Sequence, residues 1–197
     1  MPHRRRPTTA PYHHGDLRRA VLAGALAEIE EHGPAGISLR SIARRAGVSH
    51  AAPAHHFGDK AGLLTALAAE GFTLLADELD RTRAAGGGVL EAGVGYVRFA
   101  VAHRAHFAVM FQPELLNSSD PELRSAQDRA SGALGSAVAT VQEPDRRGAD
   151  TRIAGLSAWS IVHGFATLWV SGALPADLGD DPEAAARQVI RPLFARG

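Results

Sequence analysis

Cysteine is absent from this chain. That excludes disulfide frameworks, thiolate zinc sites, iron–sulfur clusters and cysteine nucleophiles, and it suits a cytosolic protein. Lysine is almost absent, with Lys60 the sole example. There is no net charge either: Lys+Arg is 21 and Asp+Glu is 21. As a total, that argues against a highly basic nucleic-acid coat or a polyanionic chaperone. No apolar run of roughly 7–15 residues follows Arg4, Arg5 and Arg6, so no secretory signal is read. Alternating strands and internal repeats are lacking as well. Enzyme signatures are missing: no G-x-S-x-G, no H-E-x-x-H, no P-loop and no dinucleotide fingerprint. The chain is therefore read as a non-enzyme without a cofactor. His13-His14-Gly15-Asp16 and His55-His56-x-x-Asp59 have a metal-like look, but helix capping and a helix end explain them more simply, so no metal site is expected.

What is present is a chain of 197 residues, 45% hydrophobic and 21% charged. That is enough to bury a real core and too apolar for intrinsic disorder. The neutral total hides an asymmetry. Residues 1–60 hold nine basic residues (Arg4, Arg5, Arg6, Arg18, Arg19, Arg40, Arg44, Arg45, Lys60) against five acids (Asp16, Glu28, Glu30, Glu31, Asp59). Their balance is +4 and that of the remainder is −4. Seven of the ten histidines also lie in the first 60 residues. One part of the chain is thus suited to meet a polyanion. Because histidine takes up a proton near pH 6.5, affinity for a polyanion should rise as pH falls through that value.

Apolar periodicity is helical throughout, so the expected fold is all-α, with about nine helices. Residues 1–14 have no apolar period and read as a flexible basic arm, with a possible reach into a minor groove. Asp16 is placed as the cap of a helix with Leu17, Val21, Leu22, Ala25, Leu26 and Ile29 inside, stopped at Gly33-Pro34. Ser38 caps a second helix, Ser49 a third, and Asp59 a fourth. Gly86-Gly87-Gly88 suggests a linker at 84–88. It divides a first domain at 15–83 from a second at 89–197. Asp120-Pro121-Glu122 and Asp181-Pro182-Glu183 open two later helices, each with an acceptor at the cap and a proline that has no N–H to leave unmet.

Residues 38–57 carry the sharpest local pattern. Ala43 permits close helix approach, Gly47 permits a left-handed turn, and Val48 and Phe57 bracket a second short helix. That helix presents Ser49, His50, Ala51, Ala54, His55 and His56, small or hydrogen-bonding side chains suited to a major groove. The other reading of the same spacing is an ordinary helical hairpin with a solvated face.

From Asp16 to about Leu79 the chain resembles the DNA-binding domain of TetR/AcrR-type transcriptional regulators. The likeness rests on Ser38-Leu39-x-x-Ile42-Ala43-x-x-Ala46-Gly47-Val48-Ser49, followed by His56-Phe57-x-Asp59-Lys60-x-x-Leu63-Leu64. The resemblance implies a homodimer, a palindromic double-stranded DNA operator and a variable C-terminal domain for a small-molecule effector. It also implies a cytoplasmic, bacterial repressor, nucleoid-associated when bound. By position, Ser38 and Ser49 would touch phosphate, His50, Ala51, Ala54 and His55 would face bases or sugars, His56 would lie near the backbone, and Lys60 would pin a phosphate. Ala54 and Pro53 depart from the usual pattern; Pro53, four residues past Ser49 at the edge of the first turn, has no N–H to donate but is read as tolerated. The competing reading is a small helical ligand- or protein-binding module that no longer binds DNA.

Residues 153–176 contain no charged side chain, and about 20 residues suffice to cross a bilayer. On a helical projection, Ser157, Ser160, Gly164, Thr167 and Ser171 share one stripe, opposite Trp159, Val162, Phe165, Ala166 and Trp169. His163, the hydroxyl residues and the lack of a flanking basic cluster favour a helix buried between its own domain and a partner, not a membrane span. Trp159, His163 and Gly164 form a W-x3-H-G pattern that resembles the WHG-type C-terminal domain of the same family. This implies dimerisation through that helix and the last one, whose apolar face is Val189, Ile190, Leu193 and Phe194. Tyr96, Phe99, His103 and Phe107 follow one helical face. With Met110, Phe111, Trp159, His163 and Trp169 they are the candidate effector-binding side chains, with plain core as the other reading.

Overall fold

The computed structural model describes residues 14–139 and 149–194. Among these, nine α-helices and two short 3-10 turns occur, and no strand. The chain divides at Leu63/Leu64 into two compact units.

The first unit holds α1 (His14–Gly36), α2 (Leu39–Arg45) and α3 (Ala52–Phe57), then the start of α4 (Lys60–Ala84). Its core is built from Val21, Ala25, Ile29, Ile37, Ile42 and Ala43, all buried. The expected stop at Gly33-Pro34 is a kink: Gly33 takes φ 69°, and one more turn runs to Gly36. Asp16 is not the cap of α1. The helix begins earlier, at His14, so Asp16 lies in the first turn and pairs with Arg19 at 2.5 Å. The expected arm at 1–14 lies almost wholly outside the described residues.

The second unit contains the rest of α4, α5 (Val89–Ala102), α6 (Arg104–Met110), α7 (Pro121–Ala139), α8 (Ala149–Val170) and α9 (Pro182–Phe194). Helix α5 packs on both α8 and α9, and α7 packs on α8. Both Asp-Pro-Glu starts behave as expected: Asp120 Oδ1 accepts from Leu123 N at 2.9 Å, and Asp181 Oδ1 from Glu183 N at 2.9 Å. The glycine stretch at 86–88 forms the turn between α4 and α5.

One expected face is split. His103 has φ −125° and ψ 49°, which ends α5 and starts α6. Tyr96 and Phe99 therefore sit on one helix and Phe107 on the next. The i, i+3, i+7, i+11 spacing is not a single helical stripe, because the backbone turns at His103.

Helix α8 is apolar and long enough to cross a membrane between Arg152 and Val170. Its Ala158, Val162, Phe165 and Ala166 are buried within this unit. The opposite side is open: Ser157, Ser160 and Thr167 are exposed, as are Ile153 (61%) and Leu168 (46%). The two-sided projection of the sequence is thus present in three dimensions. On α9, Ile190 is buried and Val189 is exposed; the side chains of Leu193 and Phe194 lie outside the described residues.

Candidate functional site

The first site is the surface formed by the turn before α3 and by α3 itself. Helix α2 is fixed at its N-terminus by a capping box. Ser38 Oγ accepts from Ser41 N at 3.1 Å, and Ser41 Oγ accepts from Ser38 N at 3.2 Å. Two otherwise orphaned donors are met. Gly47 takes φ 66° in the turn, the left-handed conformation that glycine enters without a Cβ penalty.

Ser49 does not cap α3. Its carbonyl accepts from Ala52 N at 3.0 Å in a turn, and the cap position is Ala51, without a side-chain bond. The physical reason is Pro53. It occupies the first turn of α3, where a missing N–H leaves no bond unmade. The helix therefore starts later than a Ser49 cap would place it, and Pro53 sits buried beside Ala52. Ser49, His50, Ala51, Ala54 and His55 are all exposed, while His56 is half-buried. His56 Nε2 is buried without a hydrogen-bond partner. Phe57 lies under the Arg18 guanidinium, 5.5 Å from ring centre to Cζ.

The charges near this surface are unevenly available. Arg44 is exposed. Arg45 binds Glu28 at 2.6 Å and Glu31 at 2.6 and 2.7 Å. Its guanidinium holds both carboxyls below the usual carboxylate range. One of the basic residues counted toward a polyanion site is thus spent internally. Lys60 Nζ donates to Ala35 O at 2.7 Å, tying the start of α4 to the end of α1. Asp59 Oδ1 accepts from Gly62 N at 2.8 Å, the cap expected for α4. A Cβ on Gly62 would meet the Phe57 carbonyl oxygen at 2.0 Å, so only glycine fits there.

The second site is a cavity of about 610 Å³ inside the second unit. Its walls come from α4 (Phe72, Leu75, Leu79), α5 (Tyr96), Phe111, α7 (Gln127, Ala130, Ser131, Leu134, Gly135) and α8 (Arg152, Gly155, Leu156, Trp159). Of the side chains singled out from sequence, Tyr96, Phe111 and Trp159 line it. His163 and Phe107 stand behind that wall: His163 lies 4.4 Å from Phe111 and 5.3 Å from Phe107, ring centre to ring centre. Phe99 stacks obliquely with His103 at 5.2 Å, and Met110 is buried, with Sδ beside Gly71. Neither Phe99, His103 nor Met110 lines the cavity. The contributions of α4 and α7 escaped the sequence reading. Their signal was the spacing of Phe72, Leu75 and Leu79, and of Gln127, Ala130, Ser131 and Leu134.

Behind the wall is one small polar network. Tyr96 Oη lies 2.9 Å from His163 Nδ1 and accepts from Trp159 Nε1 at 3.4 Å. Burial pushes the Tyr96 hydroxyl well above its ordinary value and His163 below its own. Both are therefore neutral, and we assign the phenol proton to the bond with His163 Nδ1.

Residues 21–67 match the family model described as bacterial regulatory proteins, tetR family. Residues 89–193, more than half of the chain, match the model described as Tetracyclin repressor-like, C-terminal domain. The chain belongs to the tetR family. A similar solved structure is a Rhodococcus sp. RHA1 protein of unknown function, 36% identical, with TM-score 0.74, over 94% of this chain and 97% of that one. The fold is shared with FadR from Bacillus subtilis, solved with stearoyl-CoA: TM-score 0.68 at 19% identity over 90% of this chain and 97% of that one. Among curated relatives, the HTH-type transcriptional regulator BetI of Burkholderia thailandensis is 48% identical over 52 residues. That match covers 26% of this chain and spans only 27% of the relative's length. For a tetR-family member, the all-α fold and the helix-turn-helix at 38–57 are as expected.

Proposed function

We propose that the protein is a cytoplasmic, ligand-responsive transcriptional repressor that binds a palindromic double-stranded DNA operator as a homodimer. The observation that carries this reading is the two-sidedness of α3. Ala52 and Pro53 are buried, while Ser49, His50, Ala51, Ala54 and His55 are exposed on an element locked by caps and a left-handed glycine. Small and hydrogen-bonding side chains on a rigid, short helix suit entry into a major groove. Exposed Ser38 and Ser49 suit phosphate contacts, with His56 nearer the backbone and Lys60 beside the end of α1. The alternative, a module that has lost DNA binding, draws on Pro53 and Ala54; Pro53 sits in the first turn of α3, where a missing N–H leaves no bond unmade.

The dimer is supported by the open side of α8. Exposed Ile153 and Leu168 flank a stripe of small residues, and a Cβ added to Gly164 would meet no atom within 4 Å. Such a stripe lets a symmetry-related helix approach closely in an isologous interface. The WHG-type assignment is kept on the 5.6 Å contact between the Trp159 and His163 rings. For the domain layout we keep 15–83, 84–88 and 89–197. The effector would act on α4, which begins in one unit and continues in the other.

The test is a gel shift with DNA upstream of the gene. A retarded complex with two-fold symmetric footprint is expected. His55→Ala should alter sequence preference. Lys60→Ala should weaken binding to all sequences and lower the salt slope by about 1. Absence of any specific complex would leave the binding-module reading in its place.

A further inference from the structure

We infer that the cavity of the second unit takes an anionic amphiphile, with its apolar body against the aromatic wall and a carboxylate-type head at Arg152. This deepens, and rests on, the reading of that cavity as the effector site.

Three observations converge on it. First, among the described residues the lining contains one ionised side chain, Arg152, and no carboxylate. A cationic guest would lose water without gaining a counter-charge, whereas an anion meets a guanidinium able to donate two parallel hydrogen bonds. Four rings, Phe72, Tyr96, Phe111 and Trp159, line the same space and would attract a cation through their faces. Arg152 opposes that attraction. Second, polarity is graded. Tyr96 is 1% exposed and Arg152 is exposed, so the charge lies toward solvent and the apolar wall lies inward. Third, the inner polar groups are already used. Trp159 Nε1 donates to Tyr96 Oη, and Tyr96 is bonded to His163. The Tyr96–Trp159 part of the wall therefore has no idle donor and favours a methylene chain or a ring, while Gln127 and Ser131 supply the other polar side chains of the described lining. The volume of about 610 Å³ lies within the roughly 300–1,000 Å³ usual for small-molecule sites.

The experiment uses the full-length protein and three guests of equal chain length: decanoate, decanol and decyltrimethylammonium, below their aggregation limits. Trp159 lines the cavity, so tryptophan emission reports binding directly. Decanoate is expected to bind at least about tenfold more tightly than either other guest, in keeping with a hydrogen bond to a charged group. Arg152→Gln should bring decanoate to within about twofold of decanol, and Arg152→Lys should retain most of the preference. Equal or tighter binding of decanol, tighter binding of the cation, an unaltered preference in Arg152→Gln, or no binding of any of the three overturns the inference. Operator release is measured separately by gel shift. Release by decanol as effective as by decanoate sinks the inference and leaves the regulator reading standing. Decanoate binding that depends on Arg152 yet leaves the DNA complex intact upholds the inference and removes the reading of the cavity as the effector site.

Discussion

Gly62 and Gly135 bring out a contrast between the two units. In the first unit, a Cβ on Gly62 would run into the Phe57 carbonyl at 2.0 Å. In the second, a Cβ on Gly135 would meet nothing within 4 Å, although the residue lines a cavity inside the helical bundle. Beside α3 the first unit is packed to contact, and beside Gly135 the second unit leaves space. The difference fits a unit that presents a fixed surface and a unit that accommodates a guest, and substitutions can break it or sharpen it.

The largest effect is expected at Gly62. A backbone carbonyl cannot swing away as a flexible side chain can, so Gly62→Ala must displace the start of α4 or the end of α3. Overpacking of this kind costs about 3 kcal/mol or more. Thermal melting followed by circular dichroism should show a clear drop, with DNA binding lost. A melting point within about 2 °C of the parent would mean that the first unit is not tightly packed.

The first unit was also the more legible in sequence, for a related reason. Its devices are short-range. Ser38 meets Ser41, Asp59 meets Gly62, and Gly47 needs only its own φ; all three were readable from neighbours within a few residues. Ser49 misled because Pro53, four positions on, decides where α3 can begin. Arg45 looked available because its partners, Glu28 and Glu31, lie 17 and 14 residues away and are brought close by helix packing. The cavity was less legible still. Phe72, Leu75 and Leu79 have the same spacing whether the facing volume is filled or empty, and periodicity does not tell the two apart. His103 hid in the same way. Its neighbours Ala102, Arg104 and Ala105 are good helix formers, and no glycine or proline marks the turn between α5 and α6.

Within the second unit the next effect belongs to Tyr96→Phe. Removing Oη leaves His163 Nδ1 and Trp159 Nε1 without their shared partner. Unmet buried groups cost about 1–3 kcal/mol, and urea unfolding should read that loss. The same region carries a pH dependence. Burial holds His163 and His103 below the ordinary histidine value, so the unfolded chain binds protons more readily than the folded one. Their contribution to stability is complete above about pH 6.5 and is lost progressively as pH falls from there toward their lowered values. The carboxyls lowered by arginines, including Glu28 and Glu183, act with the same sign but only below the usual carboxylate range. A fall in the urea midpoint between pH 7.5 and 5.5 therefore reports the histidines, and a flat midpoint would remove them from the account.

The smallest effect returns to the second glycine. Glycine inside a helix costs roughly 0.5–1 kcal/mol relative to alanine, because more backbone freedom is lost on folding. Gly132 and Gly135 both lie in α7, and neither has an atom within 4 Å of an added Cβ. Only Gly135 lines the cavity. Gly132→Ala and Gly135→Ala should each raise stability by about that amount, and only the second places its methyl in the guest's volume. If Gly135→Ala destabilises while Gly132→Ala stabilises, the space beside Gly135 is already occupied in solution. The contrast with Gly62 would then be one of a filled cavity, and the bound occupant would be the effector to identify.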